Sequence, residues 1–424
     1  MIADERIQSR IERLKSANKD ERINAATELR EMGAAAAPAV PTLIEALQDR
    51  DAVVREWAAY ALAAIGPAAA PAVPTLVHCL QKDVRNVREW AAAALGGIGN
   101  AAESAVPALI GAQASADAVV RANAANALAE IGTVPTVPAI EALTKALGDS
   151  DSVVRASAAQ ALGDFGPASE AAVPALVKLL NDPDKNVRVL AVSTLGKIGE
   201  AAASAVPALA DALKDDTESV RLRVYAAGAL GGIGPKVPAV VPALMAGLDD
   251  KDQAVRALAI RTLAKIGPEA SRASSELTKA LEDGDKDIRL WAAMALLKVD
   301  PRDPWAAVQT LMDGLKDKDD GVRMVAAGAL SEIGPEAWAA VGALVEALGL
   351  PEENIRLNAA LALGRIGPAA AEAIPVLERA REDANPDVRE AAAEALERIR
   401  QKPQIDTPAP EEGRIPASKR RWRR

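Results

Sequence analysis

Twelve arginines set the frame of this chain. Arg22, Arg55, Arg88, Arg121, Arg155, Arg188, Arg223, Arg256, Arg289, Arg323, Arg356 and Arg389 follow one another at steps of 33 to 35 residues. Around each, the sequence reads roughly D-x-x-V-R-x-x-A-A-x-A-L-x-x-I-G-P-x-A-x-x-A-V-P-x-L-x-x-A-L. One period held this often means stacked units, each too small to bury its own apolar face. The 424 residues would otherwise suggest two or three separate globules.

Each unit predicts two helices. Helix B opens four residues before the arginine at Asp51, Asp117, Asp151, Asp184, Asp252, Asp285 or Asp319, whose carboxylates can accept from the first free amides. It closes at Gly66, Gly99, Gly132, Gly166, Gly199, Gly234, Gly267, Gly334 or Gly367, placed for a left-handed C-cap. Helix A carries V-P-x-L-x-x-A-L, and its proline predicts a helix start or a one-turn kink. In helix B, positions −1, +3, +6, +7 and +10 from the arginine are apolar and fall on one stripe. Alanine at +3 and +6 allows neighbouring helices to approach closely. The ends read as caps. Ile7, Ile11 and Leu14 make one apolar face on a charged first helix, and the last B helix carries Glu390, Glu394, Glu397, Arg398 and Arg400. Two units depart inside the array. One has an insertion around Asp216 and Thr217; another runs through Val299 and Asp300 into D-P-R-D-P without its glycine, a candidate hinge at 300–304.

Composition narrows the function. The chain has one histidine, His78, and one cysteine, Cys79. Zinc sites need several Cys or His ligands, and a Ser-His-Asp or Cys-His arrangement would have to use His78. His78 and Cys79 lie in V-P-T-L-V-H-C-L, which recurs elsewhere without them, so they read as local variation. No cofactor and no metal are expected. The charged N-terminus lacks the apolar core of a leader, and no run approaches the ~18 apolar residues of a membrane span. The expectation is a cytoplasmic protein without a transmembrane segment.

The helix-B motif followed by A-V-P-x-L-x-x-A-L resembles HEAT-like repeats of the short, phycobiliprotein-lyase type, from about residue 1 to 400. The resemblance implies an all-α fold, a right-handed α-solenoid of about twelve two-helix repeats with B helices on the concave side. It also implies a ladder of Asp and Arg between neighbours, so the arginines read as structural. Related classes can be weighed against the residues. A di-iron hydroxylase of this fold needs several histidine ligands and is excluded. A DNA-repair glycosylase of this fold uses a basic concave surface, whereas residues 1–401 carry a net charge of −13, which repels phosphate. A bilin lyase or isomerase-like accessory subunit stays an alternative that no residue marks.

The aromatic residues carry the positive clue. There are six Trp, two Tyr and one Phe, and V-R-E-W-A-A occurs twice, placing Trp57 and Trp90 at position +2. Tyr225 and Trp291 share that position; Tyr60 and Met294 occupy +5. These six residues form one candidate ridge for a protein or peptide partner, since rigid amphipathic rings serve as anchors. The competing reading folds them sideways to close the seam between units. Trp305 and Trp338 form a second pair, read as covering the convex seam. Residues 402–424 are rich in Pro and charge and read as a disordered basic tail. Its Lys419, Arg420, Arg421, Trp422, Arg423 and Arg424 could contact an acidic protein, nucleic acid or an anionic surface. The residues therefore predict a non-enzymatic interaction scaffold over 1–401 with an auxiliary tail. The tail acting on nucleic acid is a further alternative.

Overall fold

The computed structural model describes residues 2–132, 136–301 and 304–401. They form helices and connecting turns, with no strand among the described residues. The chain divides into two compact units, Met1–Ala273 and Ser274–Arg424. The first holds eight helix pairs: α1 (Ile2–Leu14) and α2 (Lys19–Met32), α3 (Val40–Ala46) and α4 (Ala52–Ile65), α5 (Val73–Lys82) and α6 (Arg85–Ile98), α7 (Val106–Ala112) and α8 (Ala118–Glu130), α9 (Val137–Ala146) and α10 (Ser152–Asp164), α11 (Val173–Lys178) and α12 (Lys185–Ile198), α13 (Val206–Lys214) and α14 (Val220–Ile233), α15 (Val240–Met245) and α16 (Gln253–Ile266). The second holds four: α17 (Ser274–Ala280) and α18 (Lys286–Val299), α19 (Trp305–Gly314) and α20 (Asp320–Ile333), α21 (Val341–Ala347) and α22 (Glu353–Ile366), α23 (Ile374–Ala380) and α24 (Pro386–Arg400). Odd helices are A, even helices B. In each unit successive pairs stack as an all-α solenoid.

The caps follow the sequence. Asp51, Asp117, Asp151, Asp184, Asp252, Asp285 and Asp319 each accept from an amide in the first turn of the helix they precede, worth about 1 kcal/mol apiece. Val-Pro pairs open α3, α5, α7, α9, α11 and α13, and Ile374-Pro375 opens α23, with proline in the first turn, so they start helices and kink none. Helix-B termini differ from the expected left-handed cap. Gly66 has φ 74° and ψ −138°, and Gly99, Gly199, Gly267, Gly334 and Gly367 are alike. That region is open only to glycine. It sends the chain into a seven-residue 3-10 turn, such as Gly66–Ala72, instead of a loop. Alanines of these turns, Ala69 and Ala72 among them, are fully buried.

The stripe packs as a thin layer. Val54, Ala58, Ala61, Leu62 and Ile65 of α4 are buried, and the same positions of other B helices repeat the pattern. Glycine brings some B helices closer still. A methyl group at Gly232 would lie 2.4 Å from the Gly196 carbonyl oxygen, and one at Gly97 would lie 3.0 Å from that of Ala63.

A charged ladder ties neighbouring pairs together. Arg55 donates through Nε and Nη2 to Asp83 at 2.7 and 2.6 Å, and through Nη1 to the Asp49 carbonyl at 2.8 Å. Each such arginine thus holds its own inter-helix turn and the next. Arg22–Asp49, Arg121–Asp149, Arg155–Asp182, Arg223–Asp250 and Arg356–Asp383 repeat the forked pair. Glutamate replaces aspartate at Arg188–Glu218 and Arg323–Glu352. A ladder aspartate differs from the helix cap. At Asp49, Asp149, Asp182, Asp250 and Asp383 it sits two residues ahead of the cap and its carboxylate also accepts from the cap's own amide, as in Asp51 N to Asp49 at 2.8 Å, whereas Glu352 is itself the cap of α22. The Arg121 guanidinium holds the Asp149 carboxyl below the usual carboxylate range, and Arg356 does the same for Asp383. Burial pushes Asp250 up, but bonds from Arg223 and the Asp252 amide outweigh it and leave it lowered.

Three continuous helical stretches, Ala52–Lys82, Lys185–Lys214 and Glu353–Ala380, are long and apolar enough to cross a membrane by length and composition. The sequence alone predicts none, because no single helix reaches that length. Each stretch joins a B helix, a 3-10 turn and an A helix through a positive-φ glycine. Their apolar windows are 44%, 50% and 50% buried inside the protein, which accounts for their hydropathy by packing.

Candidate protein-binding surface

Position +2 of one B helix faces position +5 of its neighbour's side of the seam. On α4 and α6 this geometry assembles three of the predicted residues. Tyr60 stacks on Trp90 with ring centroids 3.6 Å apart and planes 15° from parallel. Trp57 lies 5.7 Å from Tyr60 at 26°. All three rings are half-buried, so they bridge the seam and still present an edge to solvent. Arg30 of α2 covers the far end, its guanidinium 4.8 Å from the Tyr60 ring and 5.5 Å from Trp57. Cation–π contacts of this kind contribute about 0.5–1 kcal/mol at exposed sites.

The alanine layer explains how four large groups fit here. Ala58, Ala59, Ala91 and Ala92 below them are fully buried and raise no bulk against the rings. Polar neighbours line the flank: Asn86 Nδ2 donates to Glu56 at 3.1 Å, and Asn123 Nδ2 donates to the Glu89 carbonyl at 3.0 Å. Asn123 holds position +2 in the next pair and does fold back onto the preceding B helix. The +2 site therefore serves the seam there, whereas on α4 and α6 it carries a stacked ring that is only half-buried. Sequence reasoning missed Arg30. Its signal was available: position +8 of one repeat lies beside +2 and +5 of the next.

The other candidates lie apart. Tyr225 on α14 is 40% exposed, with Arg221 5.7 Å from its ring. It flanks a cleft of about 360 Å³ with Ser193, Gly196, Gly228 and Leu258. Trp291 and Met294 are half-buried on α18 in the second unit. Met294 lines a cleft of about 310 Å³ with Leu297, Pro304, Glu332 and Ile333, where α18 ends on Asp300 instead of glycine. Trp305 and Trp338 lie 6.5 Å apart and are 38% and 58% exposed. Lys419, Arg420, Arg421, Trp422, Arg423 and Arg424 lie outside the described residues. So do residues 302 and 303 of the candidate hinge.

The single histidine and cysteine are adjacent on α5. His78 is exposed on α5. Cys79 is buried, its Sγ facing the Leu47 carbonyl at 3.8 Å, and burial pushes its thiol up to about 11, against the thiolate form that reacts. Among the described residues no cluster of His, Cys, Asp or Glu is placed to hold a metal ion.

The repeat, its caps and its ladder define a class that comparison with known families makes definite. The model for HEAT repeats matches residues 7–96, 73–163, 140–227, 218–296, 274–341 and 336–397, and the chain belongs to that family. No curated protein matches the sequence. Among solved structures it is similar to importin β crystallised in ammonium sulfate, at 15% identity and a TM-score of 0.63 over 93% of this chain and 62% of that one. It is similar to yeast importin β (Kap95p), at 16% and 0.57 over 92% and 60%. It is also similar to the karyopherin Kap121p bound to the extreme C-terminus of the protein phosphatase Cdc14p, at 14% and 0.59 over 94% and 50%. The chain spans only about three fifths or less of these structures, and at such identity the likeness is one of fold.

Proposed function

We propose that this protein is a soluble, cytoplasmic, non-enzymatic scaffold that holds a protein or peptide partner along its B-helix surface. The observation that carries the reading is the Arg30–Trp57–Tyr60–Trp90 column: three stacked rings, half-exposed, in repeats whose packing is complete with alanine and valine. Aromatic and arginine side chains that are already ordered lose little entropy on binding, which is why they dominate interface energetics. Tyr225, Trp291 and Met294 are secondary contacts in this reading, and the basic tail an auxiliary one. The solved relative bound to a phosphatase C-terminus supports a peptide as the kind of partner such repeats take. The absence of a poised nucleophile at His78 or Cys79 supports a binding role over an enzymatic one.

The test is selection from a displayed peptide library on the full chain and on a Trp57→Ala, Trp90→Ala variant. The expected result is sequence-restricted peptides with the wild type, none with the variant, and unchanged far-UV circular dichroism. Equal selection by both proteins contradicts the reading.

A further inference from the structure

One rung of the ladder is missing. Arg88 has its Nε buried without a hydrogen-bond partner, and no described residue pairs with its guanidinium, alone among the twelve B-helix arginines. The cause is legible at two places. Arg22 meets Asp49, 27 residues on; the residue 27 after Arg88 is Ser115. Ser115 keeps the local half of the acid's work, since its Oγ accepts from the Asp117 amide at 3.2 Å as Asp49 does from Asp51. It brings no charge. On the near side, the turn before α6 is one residue shorter. Asp83 precedes Arg88 by five positions where Asp49 precedes Arg55 by six, and Nη1 takes no carbonyl there, although Arg223 reaches the Glu218 carbonyl at the same spacing of five.

A cavity of about 530 Å³ occupies the place of the missing acid. Its counterpart at Arg22 measures about 380 Å³ and includes Thr42, Glu45 and Asp49. At Arg88 those three positions are Ala108, Gly111 and Ser115. Both acids are gone and side-chain volume with them, while Arg88 and Lys82 remain as the only charged residues of the lining. The nearby acids are engaged elsewhere: Asp83 by Arg55, and Asp117 and Glu89 by Arg85. In a chain of net charge −9 this is a cationic cavity, with an unpaired guanidinium whose desolvation nothing offsets. An Arg left without its acceptor in a partly buried site is costly until an anion arrives.

We propose that this cavity binds a carboxylate, which gives the Arg88 guanidinium the partner that no described residue supplies; Arg289 and Arg389 also lack an acid among the described residues but are held by turn carbonyls. A planar carboxylate matches the fork that Nε and Nη2 offer at Arg55, Arg121, Arg155, Arg223 and Arg356. It can come from an Asp or Glu side chain of a partner or from a chain terminus. The site is separate from the aromatic column and stands whether or not that column binds anything.

The experiment uses the full chain with three short peptides followed by ligand-detected NMR at fixed ionic strength. They are acetyl-Gly-Asp-Gly-amide, acetyl-Gly-Gly-Gly with a free C-terminus, and acetyl-Gly-Asn-Gly-amide. Inorganic phosphate is a fourth probe. Wild type is expected to bind one or both carboxylate peptides and to ignore the Asn peptide; which one binds identifies the source. Ser115→Asp closes the rung internally, so it should weaken that binding about tenfold or more and raise the melting temperature. Arg88→Gln should lose binding too and still fold, because Arg88 ties nothing in the free protein. Equal binding of Asp and Asn peptides, a response to phosphate alone, or undiminished binding by Ser115→Asp overturns the proposal.

Discussion

Arg55 and Trp57 stand two residues apart on α4 and belong to different layers of the molecule. Arg55 is one of a periodic set, fixed by carboxylate and carbonyl on both sides and largely buried with its acid. Trp57 breaks the period, stacks on Tyr60 of its own helix, which in turn stacks on Trp90 across the seam, and is only half-buried. The first kind of residue holds repeats together; the second recurs in only a few of the repeats. The difference teaches how to separate stability from binding in this fold: substitutions in the ladder should be felt by the whole stack, substitutions in the column by the partner.

Acid should break the ladder most broadly. Asp149, Asp182, Asp250 and Asp383 all titrate below their ordinary value in the folded chain. A lowered folded pKa gives stability that is present above the unfolded value of about 3.9 and lost as pH falls through the folded one. Thermal melts should therefore be flat above about pH 5 and collapse below about pH 4. A flat profile down to pH 3 would show the pairs to be incidental.

Next in size is a single rung. Arg223 and Asp250 are 1% and 5% exposed. Asp250→Ala should cost about 3–5 kcal/mol in chemical denaturation, because it leaves a buried guanidinium unpaired. A loss near that of an exposed pair, under ~1 kcal/mol, would remove the ladder from the account.

Gly232→Ala tests the close approach of B helices. Its new methyl meets a carbonyl 2.4 Å away, and such overpacking costs about 1–3 kcal/mol. Gly111→Ala, with nothing within 4 Å, should be neutral or slightly stabilising. Equal effects at the two sites would mean that glycine content, not packing, is what matters.

The smallest effect on stability is expected at the column. Trp90→Ala removes a half-exposed stacked ring, worth about 0.5–1.5 kcal/mol beyond the area it buries, yet should abolish peptide selection. Unfolding of this variant would return the rings to the seam.

Much of this was legible in the sequence. The ruler of arginines, the capping aspartates and the Val-Pro starts all act within a few residues, so period and residue type fix them. What escaped depends on neighbours one repeat away. The 3-10 turns are alanine-rich and carry no helical or turn signature of their own. The positive-φ glycines were read as left-handed caps because the ψ of about −140° is set by the turn that follows. The ladder acid was hidden beside a more conspicuous capping acid. Arg30 belongs to the ring column only once α2 is laid against α4. The gap at Ser115 needs no structure to find, but it has meaning only after the other rungs show what should stand there.

The central claim is that the rings on α4 and α6 meet a partner while the frame does not. Hydroxyl-radical footprinting of the full chain, with and without a selected peptide, tests it most directly. Trp305 and Trp338, exposed on the second unit, serve as internal references. Oxidation of Trp57, Tyr60 and Trp90 is expected to fall on peptide binding while Trp305 and Trp338 stay as they were. Unchanged oxidation of the column, with protection at Trp305 and Trp338 instead, would contradict it.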